Sequence, residues 1–132
     1  MSLTIFLQCF ENGDVSTFKR SIAWNIFGPK AVKSVMGWWL TYDGVPAGEL
    51  WMDDDELIGG VAVNRPGDAA LRDLYALARL VPATINRDSR FLVADPAVLQ
   101  GIPDWLLKVL PTPPIVVHSA DDFLYRMFQR LP

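Results

Sequence analysis

Residues 35–80, VMGWWLTYDGVPAGELWMDDDELIGGVAVNRPGDAALRDLYALARL, decide the fold. Apolar segments at 36–42, 48–52 and 57–64 are separated only by the polar breaks Asp43-Gly44 and Asp53-Asp54-Asp55-Glu56, the first loosened by Val45-Pro46. Breaks this short join antiparallel neighbours, whereas parallel strands need a crossover of about a dozen residues or more. Beyond them Asp68 is placed to cap a helix, and Leu71, Leu74, Leu77, Ala78 and Val81 recur at helical spacing. The order predicts an antiparallel meander covered by a helix, an α+β domain rather than a doubly wound sheet. It also removes the usual ligand crevice at the carboxyl ends of parallel strands.

Upstream, residues 2–10 place Leu3, Ile5, Leu7 and Cys9 on one face and Phe6 and Phe10 on the other, the pattern of a strand buried on both sides. Such a strand belongs in the sheet interior, beside 57–64. After the turn at residues 11–14, Phe18, Ile22, Ala23, Ile26 and Phe27 form a helical stripe ended by Gly28-Pro29. Downstream, residues 84–87 and 91–94 predict a hairpin around Asp88-Ser89. Asp95-Pro96 and Pro103-Asp104 open short helical turns. Pro111, Pro113 and Pro114 enforce an extended connector before a strand at 115–117. Ser119 starts a last helix whose core face is Phe123, Leu124, Met127, Phe128 and Leu131, with Asp122 where a capping box prefers Glu. The expected order is β-α-β-β-β-α-β-β-α-β-α, one domain over residues 1–132 with a single mostly antiparallel sheet and helices at 19–27, 68–81 and 119–131.

With 132 residues, 51% of them hydrophobic, 20% charged and five Trp, the chain forms one well-packed core without help from a metal or disulfide. The single Cys9 has no bridging partner, and the Cys/His cluster of a zinc site is missing, so a reducing, cytoplasmic setting is expected. The apolar run at 3–7 lacks the positive region of a signal peptide, and no apolar run approaches the ~18 residues of a membrane span. The net charge of −3 is uneven: residues 1–64 carry four basic and eight acidic side chains, and 65–90 carry five Arg against three Asp. Nucleic acid is disfavoured as a partner, because phosphate binding needs a dominant basic surface.

Two surfaces stand out. The acidic run Asp53, Asp54, Asp55 and Glu56 lacks the alternating ligands of a calcium loop, so no metal is expected; it reads as a solvated turn or, helped by Asp43 and Glu49, as a docking surface for a basic protein. Trp38 and Trp39 are adjacent and must point to opposite faces of a strand. With Val35, Met36, Tyr42 and Trp51 nearby, one Trp is covered by a helix while the other is exposed or covered by a second subunit, so a homodimer is expected.

The competing chemistry is thinner. Trp39, Arg65 and His118 form a small-molecule or minor catalytic site only if one pocket joins them. His118 precedes a helix start, which favours a neutral ring. Cys9 reads as a core thiol. Arg65, Arg72 and Arg79 recur every seven residues, the last two about 10 Å apart on one helical face, with Asp68 placed to pair with Arg72. A Gly-rich phosphate loop and a Gly-x-Ser-x-Gly elbow are both missing. The leading expectation is a non-enzymatic interaction protein without a cofactor.

The segments Phe10-Glu11-Asn12-Gly13, Trp39-x-Thr41-Tyr42-Asp43, Val63-Asn64-Arg65-Pro66 and Leu92-Val93-Ala94-Asp95-Pro96 resemble those of a family of small bacterial proteins across nearly the whole chain. They are framework positions, so the resemblance implies a shared fold and no site residues. Some small bacterial proteins of this kind resemble immunity proteins for secreted toxins, which implies a protein partner.

Overall fold

The computed structural model describes residues 4–128. In chain order they form β1 (Thr4–Glu11), β2 (Asp14–Val15), β3 (Phe18–Lys19), α1 (Arg20–Phe27), β4 (Ala31–Lys33), β5 (Trp38–Tyr42), β6 (Val45–Trp51), β7 (Leu57–Ile58), β8 (Gly60–Asn64), α2 (Asp68–Ala78), β9 (Ala83–Arg87), β10 (Arg90–Val93), α3 (Asp104–Val109), β11 (Ile115–Val116) and α4 (Ala120–Phe128), with 3-10 turns at Gly28–Lys30 and Pro96–Gly101. Leu3 and Leu131, expected on the first strand and last helix, lie outside the described residues.

The main sheet runs β11-β10-β9-β1-β8-β6-β5-β4, with β2 added beside β1; only the β10–β11 pair is parallel. The expected α+β class therefore holds, and β1 lies in the interior next to β8. The sequence pattern leaves out the small strands β2, β3 and β4, which have two or three residues each and no room for an alternation, and it reads residues 57–64 as one strand, which the structure breaks at Gly59 into β7 and β8. β3 and β7 pair only with each other.

All three long helices lie on one face of the sheet. There Ile5, Leu7, Leu40, Leu50, Val63, Ile85 and Leu92 meet Phe27 of α1, Leu71 and Leu74 of α2, and Phe123 and Met127 of α4. Each fully buried large side chain contributes about 1.5–3 kcal/mol. The other face is covered only at one end, where Phe10 and Val93 pack on Val98 and Ile102 beside the 3-10 turn. Asp95 caps that turn through the Ala97 N–H at 2.9 Å. This corrects the expected two-sided burial of β1: Phe10 is buried, but Phe6 is 45% exposed. The three long helices are spent on the opposite layer, and only α3, through Leu106, joins the 3-10 turn at the covered end of this one.

Local chemistry departs from expectation in four more places. The β5–β6 connection is tight rather than loose, because Asp43 (φ 52°) and Gly44 (φ 77°) both take the left-handed conformation of a two-residue hairpin turn. Gly67, not Asp68, is the N-cap of α2. Arg72 reaches across to Asp121 at 2.5 Å, tying α2 to the first turn of α4, instead of pairing with Asp68. Asp122 is too short to complete a reciprocal capping box: Ser119 Oγ accepts from the Asp122 N–H at 3.0 Å, while the Asp122 carboxylate accepts from the His118 N–H at 3.1 Å.

Candidate functional site

The register fixes which side chains share the uncovered face. One cross-strand row reads Val32, Trp39, Glu49, Asn64 and Thr4, from β4, β5, β6, β8 and β1. The next row reads Trp51, Ala62, Phe6, Asn86 and Phe91, from β6, β8, β1, β9 and β10. Rows two residues apart stand roughly 7 Å from one another. Trp39 and Phe6 are exposed, at 47% and 45%. Among the described residues, no strand residue pointing to this face is Lys or Arg.

Two glycines shape the surface. At Gly60 a Cβ would lie 2.0 Å from the Leu7 carbonyl oxygen, so the strand pair tolerates no side chain there. Beside it, Phe6, Gln8, Trp51, Asp53, Gly60 and Ala62 line a shallow depression of about 360 Å³. At Gly37 a Cβ would lie 2.1 Å from the Leu50 carbonyl oxygen and 2.8 Å from Trp51 Cδ1. The loop before β5 therefore abuts the Trp51 ring, whose shielded Nε1–H has no acceptor among the described residues.

That loop is fixed yet apolar at its tip. The Ser34 N–H donates to the Gly37 carbonyl at 2.9 Å, the Gly37 N–H donates to Ser34 Oγ at 2.9 Å, and the Ser34 hydroxyl donates to Glu49 at 2.6 Å. Val35 and Met36 nonetheless stand 98% and 80% exposed. A pinned apolar tip loses little freedom on contact, which favours binding.

Trp38 takes the opposite face. Its ring meets Trp24 of α1 edge-on at 5.3 Å, the Arg20 guanidinium lies over both rings, and Lys33 Nζ sits 4.4 Å from the Trp38 centroid. Arg20 also holds the acidic segment: its Nε–H donates to the Asp53 carbonyl at 2.8 Å, and its guanidinium lies 3.7 Å from the Asp54 carboxylate. The segment is thus anchored on the backbone of Asp53, with Asp55 and Glu56 exposed.

Several expected groupings are not assembled. Asp43 lies at the far end of β6 from Asp53, roughly 20 Å away by the rise of a seven-residue strand, so it does not extend the acidic segment. His118 follows edge strand β11 and lies six interstrand steps, roughly 29 Å, from Trp39 on β5. Arg65, left-handed at φ 52°, lines a separate cavity of about 210 Å³ with Ile5, Arg87 and Phe128 on the helix-covered side. Trp39, Arg65 and His118 therefore share no pocket. Arg79 is the C-cap residue at the end of α2 remote from Arg65, so the seven-residue arginine repeat builds no common surface.

Burial, reinforced by nearby Glu11, pushes the Cys9 thiol up to about 11, against a smaller opposing effect of the Ser16 hydrogen bond; it is no nucleophile at neutral pH. Among the described residues no group of three or more His, Cys, Asp or Glu is placed to hold a metal ion. A polar cluster that sequence reasoning missed joins β5 to α2: Asp73 Oδ2 accepts from the Tyr42 hydroxyl at 2.6 Å and from Lys30 Nζ at 2.7 Å. Burial and the hydrogen-bonded Asp73 carboxylate raise the Tyr42 hydroxyl above its ordinary range. The cluster is a clamp between layers, with its acceptor oxygen occupied twice.

The residues of this face that sequence reasoning missed are Phe6, exposed, and Gly60 and Ala62 beneath it, Ala62 being buried. The available signal was the alternation that puts Phe6 opposite Ala62 once β1 and β8 are paired. Comparison with known proteins finds no matching family model, no matching curated protein and no matching solved structure. Among the described residues no helix is long and apolar enough to cross a membrane.

Proposed function

We propose that the protein is a non-enzymatic binding protein whose uncovered sheet face docks a basic protein partner in the cytoplasm. One observation carries the reading: a face with Val32, Trp39, Trp51 and Phe6 on four strands, bordered by Glu49 and Asp53, with no cation among its described strand residues. Aromatic side chains supply large contact area at low entropic cost, and soluble monomers rarely leave a patch of several hundred Å² uncovered without a use. An immunity-type inhibitor of a secreted toxin, or a regulatory partner protein, would use such a surface.

A second copy of the chain is the competing occupant. Twofold stacking would bring two sets of Glu49 and Asp53 carboxylates toward each other, which disfavours it against a basic partner. Kinetics with an identified partner test the proposal. The combined changes Asp53→Asn, Asp54→Asn and Asp55→Asn should lower the association rate and its salt dependence, because exposed charges steer encounter within a Debye length of about 8 Å. Trp39→Ser should speed dissociation. Unchanged rates in both variants would overturn the reading.

A further inference from the structure

Along β6 the side chains on the uncovered face are Glu49 and Trp51, and Asp53 follows at the same two-residue interval just past the strand. The order is acid, aromatic, acid, at intervals of roughly 7 Å. Next to Trp51 lies the depression floored by Gly60 and Ala62 and walled by Phe6, with Asp53 on its rim. An extended chain places its own same-face side chains at that interval. Resting on the docking reading above, we propose that the depression receives one aliphatic side chain from an extended segment of the basic partner, with cations two residues before and two residues after it meeting Glu49 and Asp53.

The pattern reads the same in either chain direction, so it selects composition rather than polarity. It disfavours a second copy of β6, which in twofold register would set carboxylate against carboxylate. Nucleic acid and anionic lipid are disfavoured for the same reason, since their phosphates would meet Glu49 and Asp53 with no cation among the described strand residues of the face to bind them. The floor selects for a side chain entering from outside: Gly60 has none, Ala62 has a single methyl, and Ala62 lies between its cross-strand partners Trp51 and Phe6.

A backbone-cyclised hairpin peptide carrying lysine, serine, leucine, serine, lysine on one strand is the probe, and calorimetry with the full chain is the measurement. Difference emission between the wild-type protein and Trp51→Phe locates binding at the depression. The peptide should bind, and binding should weaken at least tenfold when its leucine becomes serine, when its lysines become glutamate, or in Ala62→Phe. Phe6→Ala, at an exposed position, should weaken binding several-fold while leaving the thermal transition in place. No binding, or binding indifferent to Ala62→Phe and Phe6→Ala, overturns the proposal. Binding that depends on Glu49 and Asp53 but not on the peptide's leucine overturns the depression and leaves the docking reading standing. A mass of twice 14.8 kDa by light scattering, restored to 14.8 kDa by Ala62→Phe, assigns the face to a second copy and overturns both.

Discussion

Trp38 and Trp39, neighbours in the chain, serve opposite layers: Trp38 packs on Trp24 under two cations, and Trp39 stands on the bare face opposite Glu49. Trp38→Ala should therefore cost about 2 kcal/mol or more in urea unfolding, through lost packing. Trp39→Ser should change stability by about 0.5 kcal/mol or less, as surface substitutions do. Equal costs for both would contradict the two-faced assignment.

The Tyr42–Asp73 hydrogen bond ties β5 to α2, so Tyr42→Phe should cost about 1 kcal/mol at neutral pH. The raised Tyr42 ionisation also has a sign. Below about pH 10 the hydroxyl is neutral in both folded and unfolded chains; above it the unfolded chain releases the proton and the folded chain does not, so stability falls as pH rises. The difference between wild type and Tyr42→Phe should narrow in denaturation series taken above pH 10, and a constant difference would refute the linkage.

Cys9 behaves in the same direction. With its folded value near 11 against 9.0 unperturbed, its contribution is complete below about pH 9 and is lost as pH rises toward 11. At neutral pH a thiol reagent should label the native protein only as fast as the chain opens, and the urea-unfolded protein at once. Rapid native labelling would place the thiol outside the core.

Thr84 is fully buried, and its hydroxyl has no hydrogen-bond partner among the described residues. Thr84→Val removes that unmet group with nearly the same shape and should stabilise the fold by about 1 kcal/mol in thermal or urea unfolding. A loss of stability would mean that the hydroxyl is paired, for example through an ordered water.

The meander, the Asp88-Ser89 hairpin and the interior place of β1 were legible because turn chemistry and period-two alternation are local. The split between Trp38 and Trp39 was legible for the same reason. Which face stays bare was not: Phe6 and Phe10 carry the same pattern, and only the placement of Val98 and Ile102 over one of them separates a buried ring from an exposed one. Arg72 chose Asp121 over Asp68 across 49 residues, a choice that intrahelical spacing cannot express. The alternation of Glu49, Trp51 and Asp53 was visible in the chain, but it acquires meaning only once the register puts Trp51 opposite Ala62 and the helices are seen to lie behind.

Site-specific photo-crosslinking in cells tests the central claim most directly, with the crosslinking side chain placed in turn at Trp39 on the bare face and at Tyr125, more accessible still on the outer side of α4. The docking account predicts one discrete adduct with a basic protein from position 39, weakened when Asp53, Asp54 and Asp55 are changed to Asn, and none from position 125. Adducts from position 125 alone, or from neither position, would contradict it.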